Sequence, residues 1–204
     1  VFLDITASAD RRGTMLSWVE DVARAINIPF TVGGGISSEA DVEALLGRGA
    51  DKISVNSSAL ADPGLIDRLA WSFGSQCVVV AIDAHYVDAG WAVYSKGGRE
   101  RTDKELFSWA GEACGRGAGE ILFTSMDHDG TNKGFACEAT ARISDSVSVP
   151  VIASGGAGSL ETFYDAFDKG HADAALAAGV FHFGKLTVGQ VKEYLAGRGI
   201  PVRI

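Results

Sequence analysis

The chain has 204 residues, of which 47% are apolar and 22% charged, with 26 glycines but only 4 prolines. This length and composition are typical of one globular domain spanning residues 1–204. The net charge of −8 and a pI of about 4.9 argue against nucleic acid and anionic membranes as partners. Apolar runs such as CVVVAI are too short to span a bilayer, and the first residues lack a signal-peptide pattern.

The cysteines predict reduced thiols. Cys77, Cys114 and Cys137 are odd in number, are scattered along the chain and form no CxxC pair. They therefore indicate neither a disulfide framework nor a zinc site. We expect a cytoplasmic protein that uses no metal and no other cofactor.

Seven short apolar runs predict strands, each followed by a segment with helical spacing. The runs lie near residues 1–5, 30–32, 52–55, 78–82, 121–125, 151–153 and 174–177. The 3.6-residue period of an amphipathic helix follows the first run, at Met15, Trp18, Val19, Val22 and Ile26. Residues 85–101 predict a small hairpin, and a helix is expected near residues 104–115. Because the strands are continuously apolar, they predict a parallel sheet covered by helices.

Polar or glycine residues end nearly every predicted strand. They are Asp4, Gly33, Asn56, Asp83, Thr124, Ser154 and Gly179. An open sheet would concentrate such residues at its switch point, whereas a barrel collects all strand ends on one face. The pattern predicts an α/β fold, namely a TIM-type (β/α)8 barrel that lacks its first βα unit.

The chain also repeats itself. FTVGGGIS at residues 30–37 resembles VIASGGAG at 151–158, and GRGADKISVN at 47–56 resembles DKGHADAALAAG at 168–179. The second half has one further strand in front, which ends in Asp83. By symmetry we expect a strand with its own carboxylate ahead of Val1. Without that strand, two sheet edges would stay unpaired, which predicts a homodimer that covers them.

The glycine clusters predict two anion sites. Gly33, Gly34 and Gly35 join a strand to a helix, where backbone N–H groups can contact a phosphate. A tight βα turn is the alternative explanation for one such cluster. Its recurrence at residues 154–156, beside the strand end at 178–180, favours the phosphate interpretation. Two sites across one barrel mouth indicate a substrate with a phosphate at each end.

Three other groups of polar residues are candidates for a functional or structural role. Asp83 at the barrel mouth would have a raised pKa that suits acid/base chemistry, although a turn-capping Asp is the alternative. The loop at residues 127–131 has no evident third metal ligand, so we expect it to cover the substrate. Lys52 and Glu120 begin two strands and predict a salt bridge that closes the barrel floor.

Seven segments resemble, in the same order, the signatures of the cyclase subunit of imidazole glycerol phosphate synthase from histidine biosynthesis. They are FLDITAS, FTVGGGI, GADKISVNSSA, GSQCVVVAIDA, GAGEILFTSMDHDGTNKGF, VIASGGAG and ADAALAAGVFHF. The resemblance covers essentially the whole chain. It implies a lyase reaction in which a bis-phosphorylated ribulosyl precursor and ammonia give imidazole glycerol phosphate and an aminoimidazole carboxamide ribotide.

The resemblance also implies residue roles. Asp83 would be one of two acid/base aspartates, with the second upstream of Val1, so we expect residues 1–204 alone to be weakly active or inactive. The other catalytic and mouth-lining positions would be Thr124, Ser54, Asp4 and Asp129. One phosphate group would bind Gly35, Asn56 and Ser57. The other would bind Gly130, Ser154, Gly156, Ala178 and Gly179.

A glutaminase subunit that supplies the ammonia would dock on the floor, where Lys52 and Glu120 match two of four charged gate residues. The sequence departs from the family pattern at Ala136, where an Asp is usual, and at Gly179, where a Ser is common. Two rival functions stay open. One is the sister phosphoribosyl isomerase of the same pathway, and the other is a non-catalytic phosphate-binding barrel fragment that forms oligomers.

Overall fold

The computed structural model describes residues 1–4 and 16–203. Within the predicted first strand it places β1 at Phe2–Leu3, and the rest of that prediction lies outside the described residues. Met15 also lies outside them, whereas the helix predicted after β1 is confirmed as α1, Leu16–Ala25. Trp18 from this helix packs against Phe2, with 6.4 Å between the ring centroids.

Strands and helices then alternate as the sequence predicts. The strands are β2 (Thr31–Gly33), β3 (Lys52–Val55), β4 (Val78–Val87), β5 (Gly90–Ser95), β6 (Glu100–Glu105), β7 (Glu120–Ser125), β8 (Val151–Ser154) and β9 (Ala174–Leu176). The helices after α1 are α2 (Glu39–Leu46), α3 (Ser57–Ala61), α4 (Gly64–Phe73), α5 (Leu106–Gly115), α6 (Cys137–Ser144), α7 (Leu160–Asp168), α8 (Gly179–His182) and α9 (Val188–Ala196). A short 3-10 helix, Ser75–Cys77, precedes β4.

Seven strands form one continuous parallel sheet in the order β1-β2-β3-β4-β7-β8-β9. Sequential order with helical crossovers is the topology of a TIM-type barrel. Within the described residues no ladder joins β1 to β9, so the curled sheet stays open there. The predicted fold, a barrel with seven of its eight βα units, is therefore confirmed.

The predicted hairpin is larger than expected. β4 continues to Val87 and pairs with β5, which pairs in turn with β6, so three antiparallel strands extend from the sheet. β6 runs to Glu105, where the sequence predicted the start of a helix. The Glu105 carboxylate instead accepts hydrogen bonds from Phe107 N and Ser108 N, 3.0 Å each, and so caps α5 at Leu106.

The two halves of the chain repeat each other in three dimensions as well. Ser38 caps the N-terminus of α2 and Ser159 caps that of α7, each with a capping box directly after a glycine loop. At the opposite end of the sheet, Asp51 Oδ2 accepts a hydrogen bond from Phe30 N at 2.7 Å. Asp173 Oδ2 accepts the corresponding bond from Val151 N at 2.9 Å. These matched contacts hold the N-terminal ends of the strands in register. The predicted catalytic and phosphate-binding residues lie at the opposite, C-terminal ends.

The apolar core lies mainly between the sheet and its helices. A large cluster includes Val32, Ile53, Val80, Trp109 and Ile121, and a smaller one surrounds Phe163 and Leu195. No helix in the described part of the chain is long and apolar enough to cross a bilayer.

Candidate active site

The carboxyl ends of β1 to β4 and β7 surround a cavity with several polar side chains in its wall, which we call the central cavity. Its volume is about 120 Å³. It brings together eight residues that the sequence singled out, namely Asp4, Gly34, Gly35, Ser54, Asn56, Ser57, Asp83 and Thr124. They meet because parallel strands end on the same face of a barrel.

Asp83 is an ionisable group of this cavity with a strongly raised pKa. Burial raises its pKa and the nearby charge of Asp129 raises it further, to about 6, while a hydrogen bond from Asn56 opposes the rise. That hydrogen bond runs from Asn56 Nδ2 to Asp83 Oδ2 over 3.0 Å. A carboxyl group that titrates near neutral pH can both take up and release a proton during turnover.

Two further polar atoms of the cavity wall are buried without a partner among the described residues. They are Asn56 Oδ1 and Ser58 Oγ. Because a buried polar atom without a hydrogen bond is costly, such atoms indicate a place where a bound polar group would complete the structure. Ser58 directly follows the predicted phosphate residues Asn56 and Ser57.

A second cavity of about 250 Å³ lies beside the central one, at the ends of β7, β8 and β9. It collects the other predicted phosphate residues, Gly130, Ser154, Gly156, Ala178 and Gly179, together with Asp129. Gly156 has a φ of +105°, and a Cβ atom there would lie 2.0 Å from Gly134 O. The loop therefore requires glycine at this position.

The two cavities adjoin across the sheet. Asp83 lies opposite Thr124 in the β4–β7 ladder, and Thr124 lies opposite Ser154 in the β7–β8 ladder. Asp83 thus stands between the two predicted anion sites, close to one end of β7. An elongated substrate with two phosphates would place its middle beside this carboxyl group.

Several residues of the mouth were missed by the sequence analysis. Lys185 and Asn132 line the second cavity. The turn between β5 and β6 reaches the central cavity, where Gly97 lines the wall and Lys96 N donates a 2.8 Å hydrogen bond to Ser57 Oγ. A lone Lys after the short α8, or a Gly in a hairpin turn, carries no local signal that would have revealed these contacts.

Lys52 and Glu120 lie at the other end of the barrel. They begin β3 and β7, and their side chains form an ion pair. Each side chain keeps less than a third of its surface exposed, 29% for Lys52 and 17% for Glu120. The predicted contact between these residues is therefore present, at the opposite strand ends from Asp83.

No group of three or more His, Cys, Asp or Glu side chains in residues 1–4 and 16–203 is placed to hold a metal ion. What the described site offers is a buried carboxyl group, serine and threonine hydroxyls, an amide and glycine-rich backbone. Such groups can bind phosphate and move protons.

Comparison with known proteins identifies the family. The model of the histidine biosynthesis protein family matches residues 1–187. The whole chain is 58% identical to the imidazole glycerol phosphate synthase subunit HisF of Phocaeicola vulgatus, of which it covers 81%. The chain belongs to the HisF family.

Other HisF relatives agree with this assignment. The subunit from Flavobacterium johnsoniae is 57% identical over all 204 residues, which cover 81% of its length. The subunit from Bacteroides thetaiotaomicron is 59% identical over 203 residues, again covering 81% of its length. The resemblance to the cyclase subunit of imidazole glycerol phosphate synthase, read from the sequence motifs, is confirmed.

Proposed function

We propose that the described mouth performs the cyclase reaction of the HisF family. A bis-phosphorylated ribulosyl precursor would bind across both cavities and react with ammonia to give imidazole glycerol phosphate and an aminoimidazole carboxamide ribotide. The observation that carries this proposal is the position of Asp83, a buried carboxyl group with a pKa of about 6 between two glycine-lined cavities.

The proposal divides the mouth into three parts. Gly35, Asn56 and Ser57 would hold one phosphate group, since backbone and side-chain donors converge there. The loops of the second cavity, with Gly130, Ser154, Gly156, Ala178 and Gly179, would hold the other. Between them Asp83 would take up and release protons, while Ser54, Thr124, Asp4 and Asp129 would line the reacting part of the substrate.

Ammonia would enter from the floor. A glutaminase subunit docked there would supply it, and the Lys52–Glu120 ion pair would lie on its path. Support comes from the position of this pair at the starts of β3 and β7, opposite the mouth. Changing Glu120 to Gln should therefore alter turnover with glutamine and the glutaminase subunit more than turnover with free ammonium salt.

We further propose that a polypeptide of residues 1–204 alone turns over slowly. By the family resemblance the second acid/base aspartate would lie upstream of Val1. Paired acid/base groups act as a unit, so loss of one would remove most of the benefit. Turnover with free ammonia near ~10 s⁻¹, the median of ordinary enzymes, would contradict this part of the proposal.

The test is to incubate the protein with the bis-phosphorylated precursor and an ammonium salt and to separate the products by chromatography. Formation of imidazole glycerol phosphate that depends on Asp83 supports the cyclase. The sister isomerase would instead act on the compound from which the bis-phosphorylated ribulosyl precursor is made. Isomerisation of that compound would therefore favour the isomerase. Binding of phosphate with neither reaction would favour a non-catalytic phosphate-binding barrel.

A further inference from the structure

His85 lies on the same face of β4 as Asp83. Side chains two residues apart on a strand share a face and stand about 7 Å apart. The opposite face carries Ala84, which is buried in the large apolar cluster together with Val93. Since Asp83 lines the central cavity, His85 stands one step farther out, at the rim of the mouth.

Asp127 holds one edge of the His85 ring. Asp127 Oδ2 accepts a 2.8 Å hydrogen bond from Tyr86 N, and Asp127 Oδ1 lies 2.6 Å from His85 Nδ1. Nδ1 is shielded from solvent, and its geometry falls short of an aligned hydrogen bond, so we treat the contact as electrostatic. A carboxylate this close repels the lone pair of an unprotonated nitrogen, so in the neutral ring it favours the tautomer with the proton on Nδ1.

The other edge of the ring is available to a ligand. The His85 side chain is 39% exposed, and because Nδ1 is buried, this exposure lies on the rest of the ring. In the neutral ring a proton on Nδ1 leaves Nε2 as a hydrogen-bond acceptor. The Tyr94 ring packs against the imidazole with 6.2 Å between centroids, and Tyr94 itself lies opposite Asp83 in the β4–β5 ladder.

We infer that His85 is a further substrate-contacting residue of the mouth, with Asp127 as its positioning residue. His85 Nε2 accepts a hydrogen bond from a hydroxyl or amide group in the middle of the bis-phosphorylated substrate, about one side-chain step from Asp83. Asp127 fixes the tautomer that makes this possible. The inference rests on the proposed function, because the substrate class is taken from it.

The experiment measures binding of the bis-phosphorylated precursor by calorimetry, together with the KM and kcat for cyclisation with ammonia. His85→Phe keeps a ring but removes the acceptor, and we expect Kd and KM to rise roughly ten-fold, as for the loss of one hydrogen bond. His85→Gln retains a polar atom near the position of Nε2 and should recover part of the affinity. The matched control is His171→Phe, because His171 contacts Asp145 at 2.9 Å but lies just before β9, at the floor.

Nitrogen NMR of the histidine rings reports which ring nitrogen carries the proton and whether Nε2 contacts the precursor. If His85 had only a structural role, its Nε2 signal would not change when the precursor binds. We expect His85 to carry its proton on Nδ1, to lose this preference in Asp127→Leu, and to shift at Nε2 when the precursor binds. If the wild type binds the precursor and His85→Phe binds it equally well, the inference about His85 is wrong. A ring proton on Nε2 would also contradict it. Neither result would contradict the proposed function. A wild type that does not bind the precursor would overturn the proposed function together with the inference about His85.

Discussion

At the scale of single residues, the environment of Asp83 decides what the mouth can do. Its carboxyl group is removed from water, lies near the charge of Asp129 and is held by Asn56. Replacing Asp83 with Asn keeps the shape and removes the proton-carrying group. In a polypeptide that also carries the second acid/base aspartate, we expect cyclase turnover with ammonia to fall by about 10²–10⁴, the usual contribution of acid/base assistance. In residues 1–204 alone the fall should be smaller, because the pair acts as a unit.

The control for that substitution is Asp88→Asn in the turn between β4 and β5, where the side chain is 80% exposed. It removes a carboxylate from the surface and should leave turnover unchanged. Retention of most of the activity by Asp83→Asn, measured as initial rates at saturating ammonia, would show that another group carries the proton.

The same residue makes the stability of the protein depend on pH. The folded state raises the pKa of Asp83 from 3.8 to about 6, so it binds the proton more tightly than the unfolded state does. The resulting stabilisation is complete below pH 3.8 and is lost as the pH rises through about 6. At pH 7 the ionised group then lowers the free energy of unfolding by up to about 3 kcal/mol.

Asp83→Asn does not titrate, so it should gain stability relative to the wild type as the pH rises from 4 to 7. Urea unfolding at several pH values measures the difference between the two proteins. A difference that stays constant across this range would contradict the burial of an ionisable Asp83.

At the scale of elements, the loops after β8 and β9 form the second cavity in different ways. Gly156 has a φ of +105° and no room for a side chain, because a Cβ atom would meet the carbonyl oxygen of Gly134. Gly179 is the first residue of α8. A Cβ atom added there would lie 3.9 Å from its nearest neighbour, Phe183 Cδ2, which is an ordinary van der Waals distance. The two glycines therefore respond differently to the same substitution.

We expect Gly156→Ala to weaken binding of inorganic phosphate at least ten-fold, because the loop must change its path. Gly179→Ala adds the same methyl group to the same cavity and should bind phosphate nearly as well as the wild type. Titration followed by phosphorus NMR compares the two. Wild-type affinity in both variants would show that the second cavity is not the phosphate site.

At the scale of the whole molecule, the open sheet predicts association. Within the described residues β1 and β9 have no ladder between them, and Leu3 of β1 remains 37% exposed. Unpaired apolar strand edges act as templates for other strands. We propose that a polypeptide of residues 1–204 forms a two-fold homodimer through these edges, burying on the order of 2,000 Å².

Light scattering over a dilution series tests this proposal. The dimer mass should persist to low micromolar concentration. Replacing Leu3 with Lys should shift the equilibrium toward monomer, whereas Val188→Lys, a change at another exposed apolar side chain (54%) at the start of α9, should not. A well-folded monomer at all concentrations would leave closure within one chain as the better account.

The sequence by itself determined the order of seven βα units, the glycine loops and the position of Asp83, because each depends on a local pattern of apolar spacing, turn residues and strand ends. The tertiary structure alone decided which distant polar groups meet. Asp127 reaches His85, Lys185 joins the second cavity, and the three-stranded extension delivers Gly97 to the central one. These contacts depend on strand register and on the paths of loops, which are set by packing of the whole sheet and leave no periodic signal in the chain.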